Sequence, residues 1–260
     1  MKEHKYSTKD LCRIFDITRE TLRHYERLGL LNPHVNTENG YREYSYWDVS
    51  TLIDILKYRS LGFSLSDAKE ALYESDFPRI IESLEEHAEY YTNKIIQYTL
   101  LRKKALKDLA SIRLVQDHLF EISEVETEDL FFVPYTTDPK NPYFESMREA
   151  FNNSQFFTTS LIVDKDTQGD GNYGLITEKK YADFLNMDNG ITIPGAKVVA
   201  QMVDLVCRER INESFLFEFM DRITQMYSRP FDKVYSVLVS RFYDKEKRYH
   251  HYFSVFAKLE

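Results

Sequence analysis

The chain has 260 residues, 43% of them hydrophobic and 29% charged, which is room for more than one domain with its own core. A formal net charge of −8 argues against a uniformly basic protein, and 8 glycines without a Gly-rich phosphate loop, a G-x-S-x-G or an H-E-x-x-H motif leave no catalytic signature. Two cysteines, Cys12 and Cys207, without a C-x-x-C pair cannot build a closed thiolate metal site or an iron–sulfur cluster, so neither metal nor cofactor is expected.

Three S-x-x-D boxes, Ser7 with Asp10, Ser45 with Asp48 and Ser64 with Asp67, each place a hydroxyl acceptor at a helix start and a carboxylate in its first turn. Thr18 caps a fourth helix, Arg19 to Leu28, and Leu11, Ile14, Ile17, Leu22 and Leu28 are expected to join it to the helix before. Two short helices with a tight link are a helix-turn-helix, whose second helix enters the major groove with its N-terminal residues toward base edges. Arg19, Arg23 and Arg27 recur every four residues and line one side of that helix.

Asn39-Gly40 is a turn dipeptide between extended segments around His34 to Asn36 and Tyr41 to Tyr44. The hairpin reads as a wing carrying Tyr41, Arg42 and Tyr44, with the arginine able to reach a phosphate or the minor groove. The alternative is that Tyr41 and Tyr44 cover the back of the helix from Trp47 to Tyr58.

These motifs, T-R-E-T-L-R-H-Y at Thr18 to Tyr25, L-G-L-L at Leu28 to Leu31, G-Y-R-E-Y at Gly40 to Tyr44 and L-G-F-S-L at Leu61 to Leu65, together resemble the MerR family of transcription regulators over about Tyr6 to Leu72. The resemblance implies DNA contacts at Arg19 and Arg23, at Tyr25 near the helix end, at Arg42 in the wing and at Arg59; His24 on the helix and Tyr41 and Tyr44 in the wing are further candidates by their position. His24 departs from the pattern, standing where the family often has tyrosine. Residues 1–76 nevertheless hold 11 Lys plus Arg against 13 Asp plus Glu, so the basic footprint of a DNA-binding domain is absent from the sum. Charge acts by placement, and Arg19, Arg23, Arg42 and Arg59 are expected to converge while acidic residues lie elsewhere.

From residue 81 to 119 one heptad series runs Ile81, Ala88, Ile95, Arg102, Leu109, Gln116, and the other Leu84, Tyr91, Tyr98, Ala105, Ile112, Leu119. Ten of those twelve positions are apolar, and no Gly or Pro falls between Arg79 and Val133. Such a seam signals a coiled coil, with Leu84, Tyr91, Ile95, Tyr98, Leu109 and Ile112 as dimerisation residues. An intramolecular seam covered by the C-terminal part is the alternative. The resemblance favours an antiparallel coiled coil between two subunits, placing two recognition helices on a two-fold axis.

Residues 121–260 carry 16 Lys plus Arg against 23 Asp plus Glu, so this half is not expected to touch DNA. Its pattern reads as a strand at 130–135, a helix at 142–151 and strands at 156–163 and 171–176. The order then repeats, with a strand at 197–206, a helix at 214–226 and strands at 234–242 and 249–257. The duplicated strand-helix-strand-strand order and the turn I-T-I-P-G at Ile191 to Gly195 resemble the GyrI-like effector-binding domains of multidrug-responsive MerR regulators. That implies a ligand pocket, with Tyr143, Phe144, Phe157, Tyr173, Tyr235, Ser236 and Tyr252 as candidates. Ser236 and Ser254 stand where the resemblance places acids. His250-His251 is a poor bidentate metal ligand because neighbours on a strand point to opposite faces.

The expected fold is thus α+β, divided into a winged helix-turn-helix at 1–76, a coiled-coil helix at 77–120 and a duplicated α+β effector-binding domain at 121–260. The expected function is a homodimeric, non-enzymatic transcription regulator that binds promoter double-stranded DNA. A small apolar or aromatic effector controls it, and RNA polymerase is an indirect partner. By resemblance such dimers bend and untwist promoter DNA, which costs on the order of 1 to 6 kcal/mol. Without a signal-like segment or long apolar run, a cytoplasmic protein with no membrane partner is expected. A small-molecule hydrolase or a protein-interaction module in the C-terminal half remain the competing readings.

Overall fold

A computed structural model describes residues 5–165, 172–206 and 213–259. The chain divides into two compact units, residues 1–96 and 97–260, and the architecture is mixed α+β.

In the first unit, β1 (Tyr6–Ser7) leads into α1 (Thr8–Phe15) and α2 (Arg19–Arg27); β2 (His34–Val35) and β3 (Arg42–Tyr44) form the hairpin; α3 (Tyr46–Ser60) and α4 (Leu65–Tyr73) follow. All three serine–aspartate boxes close reciprocally: each serine hydroxyl accepts from the N3 amide while the aspartate accepts from the cap amide. Thr18 caps α2 by accepting from the Thr21 amide at 3.0 Å. Asp16, in the left-handed conformation at φ 51°, ends α1 and turns the chain. Leu11, Leu22, Tyr25, Leu30, Leu31, Tyr44, Leu52 and Ile55 form the core, with Ile17 packed against it. Ile14 and Leu28, expected in that face, are exposed instead, since the tight turn swings them past the edge of the interface. Strand β1 pairs with β3, giving the sheet order β1-β3-β2. Nothing in the sequence marks β1, because a two-residue strand that merges into a helix cap has no periodicity.

Helix α5 (Phe77–His118) runs 42 residues, close to the expected span. Asp76 accepts from the Arg79 amide at 3.1 Å and supplies its start, with Pro78 in the first turn, where a missing amide costs nothing.

The second unit holds β4 (Ile122–Glu126), β5 (Leu130–Pro134), α6 (Phe144–Asn152), β6 (Thr158–Asp164), β7 (Asn172–Glu178), α7 (Lys179–Phe184), β8 (Ile191–Ile193), β9 (Lys197–Val206), α8 (Ser214–Tyr227), β10 (Lys233–Tyr243) and β11 (Tyr249–Lys258). Residue 171, the expected start of β7, lies outside the described residues, as does Cys207. The sheet order β4-β9-β11-β10-β6-β7-β5-β8 makes the duplication explicit. The units β5-α6-β6-β7 and β9-α8-β10-β11 meet antiparallel at β6 and β10, where Tyr235 lies opposite Ile162. Each lead-in strand crosses to the other unit: β4 pairs with β9, and β8 pairs with β5. Thr127 and Ala196 tie the crossing together, the Thr127 amide donating to the Ala196 carbonyl at 3.0 Å and the Ala196 amide to the Thr127 hydroxyl at 3.2 Å. β4, α7 and β8 were missed in the sequence because each is short and only partly buried.

One sheet face buries α8 through Phe215, Leu216, Phe219 and Ile223, and buries α6 through Ala150 against Phe131 and Val133. The opposite face carries a second core of Phe132, Ile162, Ile176, Ile193, Val198, Tyr235 and Phe256. Gly174 is set in this second face, where a Cβ would lie 2.4 Å from the Val133 carbonyl oxygen and 2.5 Å from the Phe132 ring. Gly174→Ala is expected to destabilise the protein by about 1–3 kcal/mol through overpacking, read as a lower denaturant midpoint. An unchanged midpoint would contradict so close an approach.

Candidate nucleic-acid interface

Helix α2 turns Leu22 and Tyr25 into the core, so the intervening positions Arg19, Arg23, His24 and Arg27 face solvent. Arg27 is occupied by Glu20 at 2.9 Å. Arg19 and Arg23 make no hydrogen bond or ion pair among the described residues. One helical turn apart and at the N-terminal half of α2, they are two guanidinium groups ready for an anionic partner.

The hairpin begins where Gly40 adopts φ 71°, and the Asn36 amide donates to the Tyr41 carbonyl at 2.9 Å. Tyr41 stands exposed at its tip. Arg42 and Tyr44, two apart on β3, both point at α2 and share one carboxylate. Arg42 Nε donates to Glu26 Oε2 at 2.7 Å, and the Tyr44 hydroxyl donates to Glu26 Oε1 at 2.7 Å. Burial raises the Tyr44 pKa and the bond to Glu26 adds to it, while Glu26 also raises that of Arg42.

Two of the expected DNA contacts need correction. Tyr44 is fully buried with its hydroxyl committed to Glu26, and Tyr25 is a core side chain, because an apolar ring gains more from the α2 interior than from solvent. Arg59 is exposed, and one of its guanidinium nitrogens donates to the Phe63 carbonyl, bracing the α3–α4 turn at Gly62. Two features went unread in the sequence: Glu26, whose partners lie 16 and 18 residues away with no local signal, and the exposed pair Tyr46 and Trp47 in the first turn of α3. Large aromatics directly after the Ser45 cap were the only available sign of that pair.

Along α5 the seam residues Leu84, Tyr91, Ile95, Tyr98, Leu109 and Ile112 are all exposed, Ile95 at 67% and Tyr98 at 66%. A different stripe of the helix packs on the chain itself: Leu100 and Leu101 lie against the core around Phe131, and Lys107 pairs with the buried carboxylate of Glu178. Burial raises the Glu178 pKa, but Lys107 and Lys180 outweigh it and hold the group ionised. Within residues 97–260, the seam residues Tyr98, Leu109 and Ile112 therefore lie off the face that packs against this unit's own core. The Tyr91 hydroxyl also lies against Gly62.

The candidate ligand residues do not converge. Phe157 belongs to the α6 core, Tyr143 and Phe144 are half-buried at the start of α6, and Tyr173 packs against the α8 core, all on the helix side. Tyr235 stacks on Phe256 with ring centroids 5.4 Å apart in the opposite core, and Tyr252 lies on that same opposite face beside His250. The Ser236 hydroxyl accepts from the Leu161 amide at 3.0 Å and donates to the Leu161 carbonyl at 2.9 Å, extending the β6–β10 ladder. It is a strand clip whose only donor proton is committed to the ladder. Strand alternation is what puts Tyr173, on β7, on one face and Tyr235 and Tyr252, on β10 and β11, on the other. A cavity of about 620 Å³ lies at the strand crossing, lined by Glu126, Asp129, Glu178, Lys180 and Lys197 among others, and includes none of them.

His250 and His251 do point apart. His250 Nδ1 lies 2.8 Å from Asp204 and Nε2 3.1 Å from Asp244, whereas His251 meets the Tyr249 ring. Among the described residues no group of three His, Cys, Asp or Glu could hold a metal ion, and no helix is long and apolar enough to cross a membrane.

Residues 6–75 match the MerR HTH family regulatory protein family. The chain is 40% identical over 75 residues, 29% of its length and 29% of the relative's, to the HTH-type transcriptional activator mta of Bacillus subtilis. It is 30% identical over 90 residues to the multidrug-efflux transporter 2 regulator of the same organism, covering 35% of this chain and 33% of that one. The crystal structure of MtaN, the N-terminus of the Bacillus subtilis multidrug transporter activator, is 31% identical with a TM-score of 0.34, over 39% of this chain and 98% of that one. The chain thus spans about a third of the length of these two curated relatives. Residues 6–75 of this protein are a MerR-family helix-turn-helix domain.

Proposed function

We propose that the protein is a homodimeric transcription regulator that binds and distorts promoter double-stranded DNA under the control of a small molecule. The observation that carries this reading is the pair Arg19 and Arg23, exposed and unengaged on the second helix of a MerR-type domain. Residues 1–76 are the DNA-binding segment, with Arg19, Arg23 and His24 toward the groove and Tyr41, Arg42 and Arg59 toward phosphates. Residues 77–120 are the dimerisation helix, an antiparallel coiled coil, supported by the exposed seam of α5. Residues 121–260 hold the effector. The duplicated α+β fold supports this. The effector is apolar or aromatic, and the half-buried Tyr143, Phe144 and Tyr173 are its candidate contacts on the helix side. The protein acts in the cytoplasm, engages RNA polymerase through the promoter and catalyses no reaction, in line with relatives named as regulators.

The test is selection of genomic DNA fragments by the purified full chain, followed by footprinting. The expected result is protection of two half-sites related by a two-fold axis. Binding that ignores sequence, or turnover of a small molecule by the protein, would overturn the reading.

A further inference from the structure

We infer that Glu26 is the positioning residue that makes DNA binding sequence-selective. This rests on the proposed DNA-binding function. Glu26 lies in the last turn of α2, the helix that presents Arg19 and Arg23, yet its side chain is only 13% exposed and faces the wing. Its two oxygens are divided: Oε1 accepts from the Tyr44 hydroxyl and Oε2 from Arg42 Nε, both at 2.7 Å. Tyr44 is buried and fixes the strand; Arg42 remains 39% exposed.

The donor inventory decides what this arrangement does. An arginine has five N–H groups, and Glu26 engages the one on Nε, so the two terminal nitrogens stay available for a phosphate. The carboxylate therefore aims Arg42 without consuming it. A free arginine on a hairpin samples many rotamers and finds a phosphate on any duplex, whereas one held at Nε meets a phosphate only when α2 sits in one register. The same pairing neutralises an acid that would otherwise face the DNA backbone from the recognition helix. Recognition helix and wing thus read the duplex as one rigid body.

Glu26→Gln tests this in the full-length protein. The amide keeps an oxygen for the Tyr44 hydroxyl but turns an N–H₂ toward Arg42, freeing the guanidinium. Operator affinity is expected to fall about tenfold, while affinity for a random duplex holds or rises, so the selectivity ratio drops. In an Arg42→Ala background, Glu26→Gln should leave that ratio unchanged, because the coupling runs through Arg42. A merely structural role predicts equal losses on both duplexes together with a lower melting temperature, and that result overturns the inference. If Glu26→Gln does not fold, Arg42→Gln carries the test, since it leaves the Glu26–Tyr44 bond in place and must lower the ratio by the same factor; an unchanged ratio refutes the inference. Should the wild-type protein show no preference for operator over random DNA, the functional reading itself fails, which is a distinct outcome.

Discussion

Ile95→Lys is expected to convert the dimer to monomers and to abolish tight operator binding. Ile95 stands at the middle of the α5 seam, exposed at 67% in the single chain, so the substitution removes little apolar packing within a subunit. In an antiparallel pair a residue near the middle of the helix lies close to its symmetry mate, and two lysines there place like charges in an apolar interface. Without the dimer, the two half-sites are no longer engaged together, and operator affinity should drop by roughly 100-fold or more through lost effective concentration. Sedimentation velocity reads the first effect and a shift assay at fixed salt the second. Secondary structure by circular dichroism should stay as in the wild type. A dimer that survives the substitution would show that another face of the chain makes the subunit contact.

The first unit was legible because its signals are local. Ser7, Ser45, Ser64 and Thr18 each cap within three residues, and the Asn36 carbonyl accepts from the Gly40 amide at 2.8 Å to close the hairpin turn, so the sequence contains both partners of every such bond within one window. The strands and helices of the duplicated unit were legible for the same reason, since periodicity is a property of one element. What stayed hidden is tertiary. Strand alternation divides Tyr173 and Tyr235 between faces, but which face meets a helix depends on how the α6 and α8 crossovers pass over the sheet, which no single element's periodicity reveals. The bulge between Leu238 and Ser240 shifts the side-chain phase midway along β10, another feature a period-two count cannot see. The shared carboxylate of Glu26 joins residues from helix and wing, so the two elements were predicted separately while the contact that unites them was not.

Arg23→Ala should weaken operator binding by about 1–3 kcal/mol, roughly ten- to a hundredfold, and leave the dimer intact. Arg23 is exposed on α2 and bonds nothing among the described residues, so its loss leaves no buried partner stranded and the folded domain keeps its melting temperature. The form of the loss tells what Arg23 touches. A base-edge contact costs affinity for the operator and relaxes preference at one base pair, with random DNA little affected. A phosphate contact weakens both duplexes alike and reduces the salt slope by about one. In a domain that holds 11 basic against 13 acidic residues over positions 1–76, little non-specific attraction is available to mask the change. Fluorescence anisotropy on both duplexes across a salt series separates the two cases. Undiminished affinity for the operator would mean that α2 does not face the DNA, and with it the assignment of Arg19 and His24 would fall.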